Sequence, residues 1–300
     1  MLLTNFLKKK PGPVLVKDVV GDVLHKIERM ERQGPGLTGI TTGFNDLDRM
    51  LSGLHPGELL ACLSRPAMGK TAFAASITAH VAKQKVPVLY FSLGQLTQRN
   101  IVFGLICAQG KVDRSKARCG MMDGTERSKF VAGVGIVAEL PIYIDSMTRT
   151  VQDVERIVKK HVAEHKVKLI VIDPLQCIED VALLDGAARY KACEMVTRRL
   201  KAMAVRNEVT VFVTSWLSRR TEEHEKTRPL HLLSQIAREE GGFDVYADVV
   251  LQLYREDYYE PKPENLGIAE IRIIKSPDGY SGSTHIRFNR DEGVFFDNLT

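Results

Sequence analysis

The sequence predicts an α/β protein built on a mostly parallel, doubly wound sheet, and three observations carry that prediction. Short apolar runs alternate with stretches whose apolar residues recur at helical spacing, the pattern of βαβ units. One such run, ELLACL at Glu58–Leu63, passes straight into the turn SRPAMGKT and then the helical stretch KTAFAASITAHVAKQ. The last third changes character: VYADVVLQLYRE, IAEIRIIKS and STHIRFNRDEGVFFD are extended runs broken by Gly-containing turns, which predicts an antiparallel C-terminal addition.

Taken in order, the first element is Val14–Arg32, where Val16, Val19, Val20, Val23, Leu24, Ile27 and Met30 line one face of a helix. Pro11-Gly12-Pro13 and Gly34-Pro35-Gly36 bound it, so residues 1–36 read as a tail and amphipathic linker helix, and 37–300 as the main domain. The stripe packs either on its own domain or on a neighbouring subunit. Gly43 and Gly53 bracket a short helix ahead of the first strand. Further buried strands follow at Val86–Leu93, Pro141–Asp145, Lys168–Asp173 and Val209–Ser215, with helices near Ile101–Gln109, Glu126–Glu139, Val151–Glu164 and Tyr190–Arg206. No internal repeat or low-complexity tract interrupts them.

The bulk properties fit a soluble globular chain: 300 residues and 44% hydrophobic content are enough for one sizeable core. No apolar run approaches a membrane span, and in MLLTNFLKKKPGP the charges follow the apolar residues, the wrong order for a signal peptide, so a cytoplasmic protein without membrane contact is expected. Cys62, Cys107, Cys119, Cys177 and Cys193 are odd in number and contain no C-x-x-C pair, which predicts buried reduced thiols rather than disulfides or zinc. A net charge of +5 permits nucleic-acid contact without requiring it.

Chemistry enters at Ser64–Thr71. Gly69-Lys70-Thr71 closes a G-x-x-x-x-G-K-[ST] pattern whose first glycine is Ser64 here. Such a loop holds phosphates on backbone N–H groups and a helix N-terminus, reaches the outer phosphates with Lys70, and ligates Mg²⁺ with Thr71. Ser64, Arg65, Pro66, Ala67, Met68, Gly69, Lys70 and Thr71 are therefore the expected ATP site. An ordinary strand-turn-helix is the bland alternative. It loses ground because KLIVID ends in Asp173, the acidic residue at a strand end that completes a Mg²⁺ site with Thr71.

The order TTGFNDLDRM, SRPAMGKTAF, VLYFSL, IYID, LIVIDPLQ, VTVFVTSWLSR, AREEGGFDVYADVVLQLYRE, IAEIRIIK and IRFN resembles the RecA-like motor domain of the DnaB family of replicative DNA helicases, over roughly Val14 to Asp297. The resemblance implies a RecA-like P-loop fold, a hexameric ring, nucleotide between subunits and single-stranded DNA in the central hole. It makes Val14–Arg32 the linker helix that packs on the adjacent subunit. It places Arg238, Glu239 and Gly241 on the strand-binding loop, with a surface salt bridge of Arg238 and Glu239 as the plain alternative, and Arg255 at the nucleotide. Arg198-Arg199-Leu200-Lys201 reads as a solvated helix face, and Arg219-Arg220 is ambiguous.

Three departures then matter. The family's water-orienting glutamate is Gly94 here, followed by Gln95, and a general base is worth about 10²–10⁴ in rate. The arginine finger of a Lys-x-Arg segment is Pro277, although Lys275 remains, and such a finger contributes roughly 10³–10⁵. The polar γ-phosphate sensor after VTVFVTS is Trp216, and Pro174 follows Asp173. Two functions stay open: an active ATP-dependent DNA helicase using substitute residues, or a nucleotide-bound ring subunit, alone or beside an active helicase, that holds DNA without turnover. A recombinase-type filament fits the AREEGGFD loop less well.

Overall fold

The computed structural model describes residues 13–33, 37–217 and 242–297. The chain separates into two compact units, Met1–Thr38 and Gly39–Thr300. In the first, α1 (Lys17–Gln33) forms where the apolar periodicity places it, and its Val20, Val23, Leu24 and Ile27 are exposed.

The second unit is a nine-stranded sheet flanked by helices. Its strands are β1 (Leu59–Ser64), β2 (Val88–Ser92), β3 (Ile142–Asp145), β4 (Leu169–Asp173), β5 (Thr210–Trp216), β6 (Val249–Tyr254), β7 (Ile268–Lys275), β8 (Gly282–Asn289) and β9 (Val294–Phe296). They lie in the order β3-β2-β4-β5-β1-β6-β7-β8-β9. Between them run α2 (Asn45–Leu51), α3 (Lys70–Lys83), α4 (Gln98–Gly110), α5 (Arg114–Cys119), α6 (Gly124–Ala138), α7 (Val151–His165), α8 (Glu179–Ala182), α9 (Gly186–Asn207) and α10 (Phe243–Tyr246). The short α5, α8 and α10 lack the length that gives a readable periodicity, and the sequence did not signal them.

Alternation along β1 divides the core in two. Leu59, Ala61 and Leu63 pack with Val158 of α7 and Leu200 of α9, whereas Leu60 and Cys62 pack with Phe73 of α3 and Ile101 of α4. A strand covered on both faces must be apolar throughout, which is why β1, β2 and β4 read as unbroken runs.

The same logic corrects the expected antiparallel addition. All of β6 is buried, and it lies parallel to β1, with Leu60 opposite Val249, so it belongs to the central sheet. Antiparallel pairing begins at β7, where burial alternates residue by residue. The cysteines need a second correction. Cys62, Cys107 and Cys193 are buried free thiols, but Cys177 is half-buried and Cys119 is exposed, because α5 buries none of its residues.

The basic run of α9 is not a plain solvated face either. Arg199 grips Glu155 of α7 through two hydrogen bonds of 3.2 and 2.8 Å. Lys201 donates to both oxygens of Asp248 at 2.7 Å and to the Gly57 carbonyl at 2.9 Å. The charges tie helix to helix and helix to sheet. Arg219 and Arg220 lie outside the described residues. No described helix is long and apolar enough to cross a membrane.

Candidate nucleotide site

Parallel pairing brings the candidate residues to one edge. Ser64, the last residue of β1, is opposite Trp216, the last of β5, and Ser92 at the end of β2 is opposite Asp173 at the end of β4. The carboxyl ends of four neighbouring strands therefore face one crevice, where open α/β sheets bind ligands.

Residues 65–69 cross from β1 to α3 with left-handed backbone at Ala67 (φ 67°) and Gly69 (φ 98°), a turn geometry suited to an anion-binding nest. Space is tight at Gly69 as well: a Cβ there would lie 3.0 Å from the Phe295 ring, which would have to give way. Ser64, Arg65 and Met68 are buried, and Pro66 and Ala67 form the exposed lip. Lys70 opens α3 and is 6% exposed. Its ammonium donates to the Ser64 carbonyl at 2.8 Å, the Ser64 hydroxyl at 3.1 Å and the Arg65 carbonyl at 2.8 Å, so it lies folded across the loop. The Ser64 that replaces the motif's first glycine thus supplies a side-chain acceptor.

Asp173 is buried, and each of its oxygens accepts a hydroxyl: Oδ2 from Tyr90 at 2.8 Å and Oδ1 from Thr214 at 2.5 Å. Burial, then the Asp173 charge and this hydrogen bond, push the Tyr90 phenol well above its ordinary range. Burial pushes the neighbouring Cys62 thiol up to about 12, with Lys70 opposing and Asp173 reinforcing the rise. Among the described residues no cluster of three or more His, Cys, Asp or Glu could hold a metal. The half-buried Thr71 hydroxyl and the Asp173 carboxylate are hard oxygen donors, the sparse set that suits a Mg²⁺ keeping its waters and substrate phosphates rather than a protein cage.

Beside the loop is a cavity of about 240 Å³ lined by Gly69, Thr71, Ala75, Leu96, Arg114 and Phe288, among others. Arg255 is placed indirectly: its guanidinium sits 4.2 Å over the Phe288 ring while ion-paired to Asp257 at 3.0 Å, so it braces a wall of the cavity. Gln176, from the LQ pair, accepts from the Trp216 amide at 3.1 Å and donates to Ser215 at 2.6 Å. That fixes the end of β5. Trp216 itself is 40% exposed.

Gly94 lies two residues beyond the end of β2, after Leu93. A Cβ there would meet Cδ of Pro174 at 3.3 Å, and the Leu93 amide donates to the Asp173 carbonyl at 2.8 Å. The two departures from the family pattern, Gly94 and Pro174, therefore lie side by side, with room for a Cβ at position 94 only against the proline ring. Pro277 is exposed in the turn after β7. Lys275 is engaged within its own chain, donating to the carbonyls of Asp244 inside α10 at 2.9 Å and of Ala247 just after it at 2.6 Å. Arg238, Glu239 and Gly241 lie outside the described residues.

Sequence reasoning missed Tyr90, Thr214 and Phe288. A signal existed for two of them, since a hydroxyl within an otherwise apolar buried strand needs a hydrogen-bond partner. Its identity depends on which strands become neighbours.

A family model described as the DnaB-like helicase C terminal domain matches residues 39–297. The chain belongs to this family. Replicative DNA helicase DnaB of Geobacillus stearothermophilus is 34% identical over 282 residues, covering 93% of this chain and 61% of that protein. Replicative DNA helicase DnaB of Haemophilus influenzae is 34% identical over 298 residues, 96% of this chain and 62% of that one. The chain thus spans about three fifths of these DnaB proteins. Among solved structures, an ATPase domain superposes with a TM-score of 0.84 at 28% identity, covering 94% of this chain and 99% of that one. A DnaB-like replicative helicase, described with its interactions with primase, gives 0.83 at 27% identity over 97% and 68%.

Proposed function

We propose that this DnaB-like chain binds ATP with Mg²⁺ and single-stranded DNA as a ring subunit, and turns ATP over weakly or not at all. The observation that carries the reading is the contrast at one strand edge. Lys70 and Thr71 open α3 and Asp173 ends β4, groups suited to phosphate and cation in the ground state, whereas the position read as needing a proton acceptor is Gly94, where an added Cβ would lie 3.3 Å from Pro174. Gln95 can orient a water but cannot take its proton. Pro277 offers no charge to a neighbouring site, and the Lys275 ammonium is committed to carbonyls of its own chain. Groups that act on one transition state fail as a unit, so the losses compound. When bound, Mg²⁺ neutralises phosphate charge, with Thr71 and Asp173 as its protein donors.

In this reading, residues 1–36 form a tail and linker helix and 37–300 the ATP-binding domain of a cytoplasmic protein. DNA contact through Arg238, Glu239 and Gly241 rests on the AREEGG motif. Ring formation is supported by two apolar surfaces that stay exposed among the described residues. After Lys129, α6 is apolar nearly all round, yet Val131, Val134 and Ile136 are 62%, 41% and 42% exposed. The stripe of α1 from a neighbouring copy is the proposed cover. The ring holds copies of this chain, or this chain beside an active replicative helicase.

DNA-stimulated ATP turnover, measured beside Lys70→Ala, tests the proposal. Nucleotide binding that Lys70→Ala abolishes, with turnover no higher than in that variant, is expected. Turnover well above the variant's would instead establish an active helicase with substitute residues.

A further inference from the structure

Asp173 is restrained from both sides in a way the grip itself does not require. It ends β4, and β4 lies between β2 and β5. Tyr90 of β2 donates its hydroxyl to Oδ2 at 2.8 Å, and Thr214 of β5 donates to Oδ1 at 2.5 Å. All three residues are buried, at 0%, 0% and 5% exposure for Tyr90, Thr214 and Asp173. The terminal torsion of an aspartate is soft and nearly two-fold, so a lone carboxylate swings over a broad range. Two donors on opposite strands remove that freedom. Each oxygen still has lone-pair capacity, now held in a fixed direction.

A phenylalanine at position 90 would fill nearly the same volume, because the ring is packed among Ile101, Leu169 and Val171 in the apolar core. Only the hydroxyl distinguishes tyrosine there, and it goes to Asp173. We propose that Tyr90 is a positioning residue for the divalent cation: with Thr214 it orients the Asp173 carboxylate toward the phosphate loop's Mg²⁺. The inference rests on the nucleotide reading above.

The test compares the full chain with Tyr90→Phe, Thr214→Val and Thr214→Ser. Calorimetric titration with ATP is run in Mg²⁺ and in EDTA, and the ratio of the two affinities is the readout. Tyr90→Phe and Thr214→Val are expected to bind ATP as the parent does in EDTA while losing Mg²⁺-dependent affinity by about 10–100-fold, the usual cost of removing an outer-shell partner. Thr214→Ser, which keeps the hydroxyl, is expected to retain it. A merely structural role would lower the unfolding temperature and leave the ratio unchanged, and that result would overturn the proposal. Should Tyr90→Phe fail to fold, the Thr214 pair decides by the same ratio. Parent chain that binds ATP equally well with and without Mg²⁺ overturns this inference and the Mg²⁺ role proposed above, and leaves nucleotide binding standing. Parent chain that binds no ATP in either buffer overturns the nucleotide reading and this inference with it.

Discussion

At the residue scale, Gly94 and Pro174 act as one feature. Restoring the missing carboxylate as Gly94→Glu puts a Cβ 3.3 Å from the Pro174 ring, tighter than an ordinary van der Waals contact, so the proline must give by a few tenths of an ångström to admit it. Gly94→Glu with Pro277→Arg is therefore expected to raise DNA-stimulated turnover by only part of the roughly 10²–10⁴ that a general base contributes. Adding Pro174→Ala should raise it further. Equal turnover in the double and triple variants would show that Pro174 does not obstruct the site.

His80 gives a second residue-scale prediction. Its half-buried ring abuts Gly43, and burial lowers its pKa below the ordinary 6.5, with Asp48 pulling the other way and Lys83 reinforcing the drop. The folded state thus holds a neutral imidazole where the unfolded chain would bind a proton. Stability is full above pH 6.5 and falls as the pH drops from there toward the folded pKa. Urea midpoints at pH 7.5 and 5.5 should differ more for the parent than for His80→Gln. An equal difference would remove His80 as the cause.

At the scale of elements, α4 and α6 approach so closely that glycine is needed on both. A Cβ at Gly133 would lie 2.5 Å from the Ile106 carbonyl oxygen, and one at Gly110 would lie 2.6 Å from that of Lys129. Backbone cannot yield as a side chain does, so Gly133→Ala must push the helices apart. A loss of about 1–3 kcal/mol in urea-unfolding free energy is expected, the usual range for overpacking. Nothing in GTERSKFVAGVGIVA announces that contact, because each glycine matters only against the other helix. The strands were legible for the opposite reason: burial on both faces imposes an apolar run whatever the neighbour. That rule, applied to VVLQLY, would have placed β6 in the parallel sheet. Extended runs near Gly-rich turns instead suggested an antiparallel ribbon, which holds only from β7 onward.

At the scale of the whole molecule, the prediction concerns assembly. If α1 covers α6 of a neighbour, then a chain starting at Gly36 and the full chain carrying Val134→Asp should lose the same oligomer in light scattering with nucleotide present. The buried charge is costly in the second case, and the apolar partner is gone in the first. Assembly unchanged by the truncation would rule out the linker helix as the contact. Assembly lost by truncation but unchanged by Val134→Asp would move the receptor face away from α6.

The sequence by itself determined the strand-turn-helix at Ser64–Thr71, the acid at the end of β4, the family pattern and the positions where that pattern is broken. These are local facts: a strand, a turn and a helix start follow from neighbours in the chain, and a glycine in place of a glutamate lacks a carboxylate in any fold. Tertiary structure alone decided that Tyr90 and Thr214 hold Asp173, that Gly94 lies beside Pro174, and that Lys275 bonds to carbonyls in and just after α10. Each joins segments far apart in sequence, and the hydrogen bonds and contacts involved reach only a few ångströms. No local periodicity encodes them. They exist once β2, β4 and β5 lie side by side.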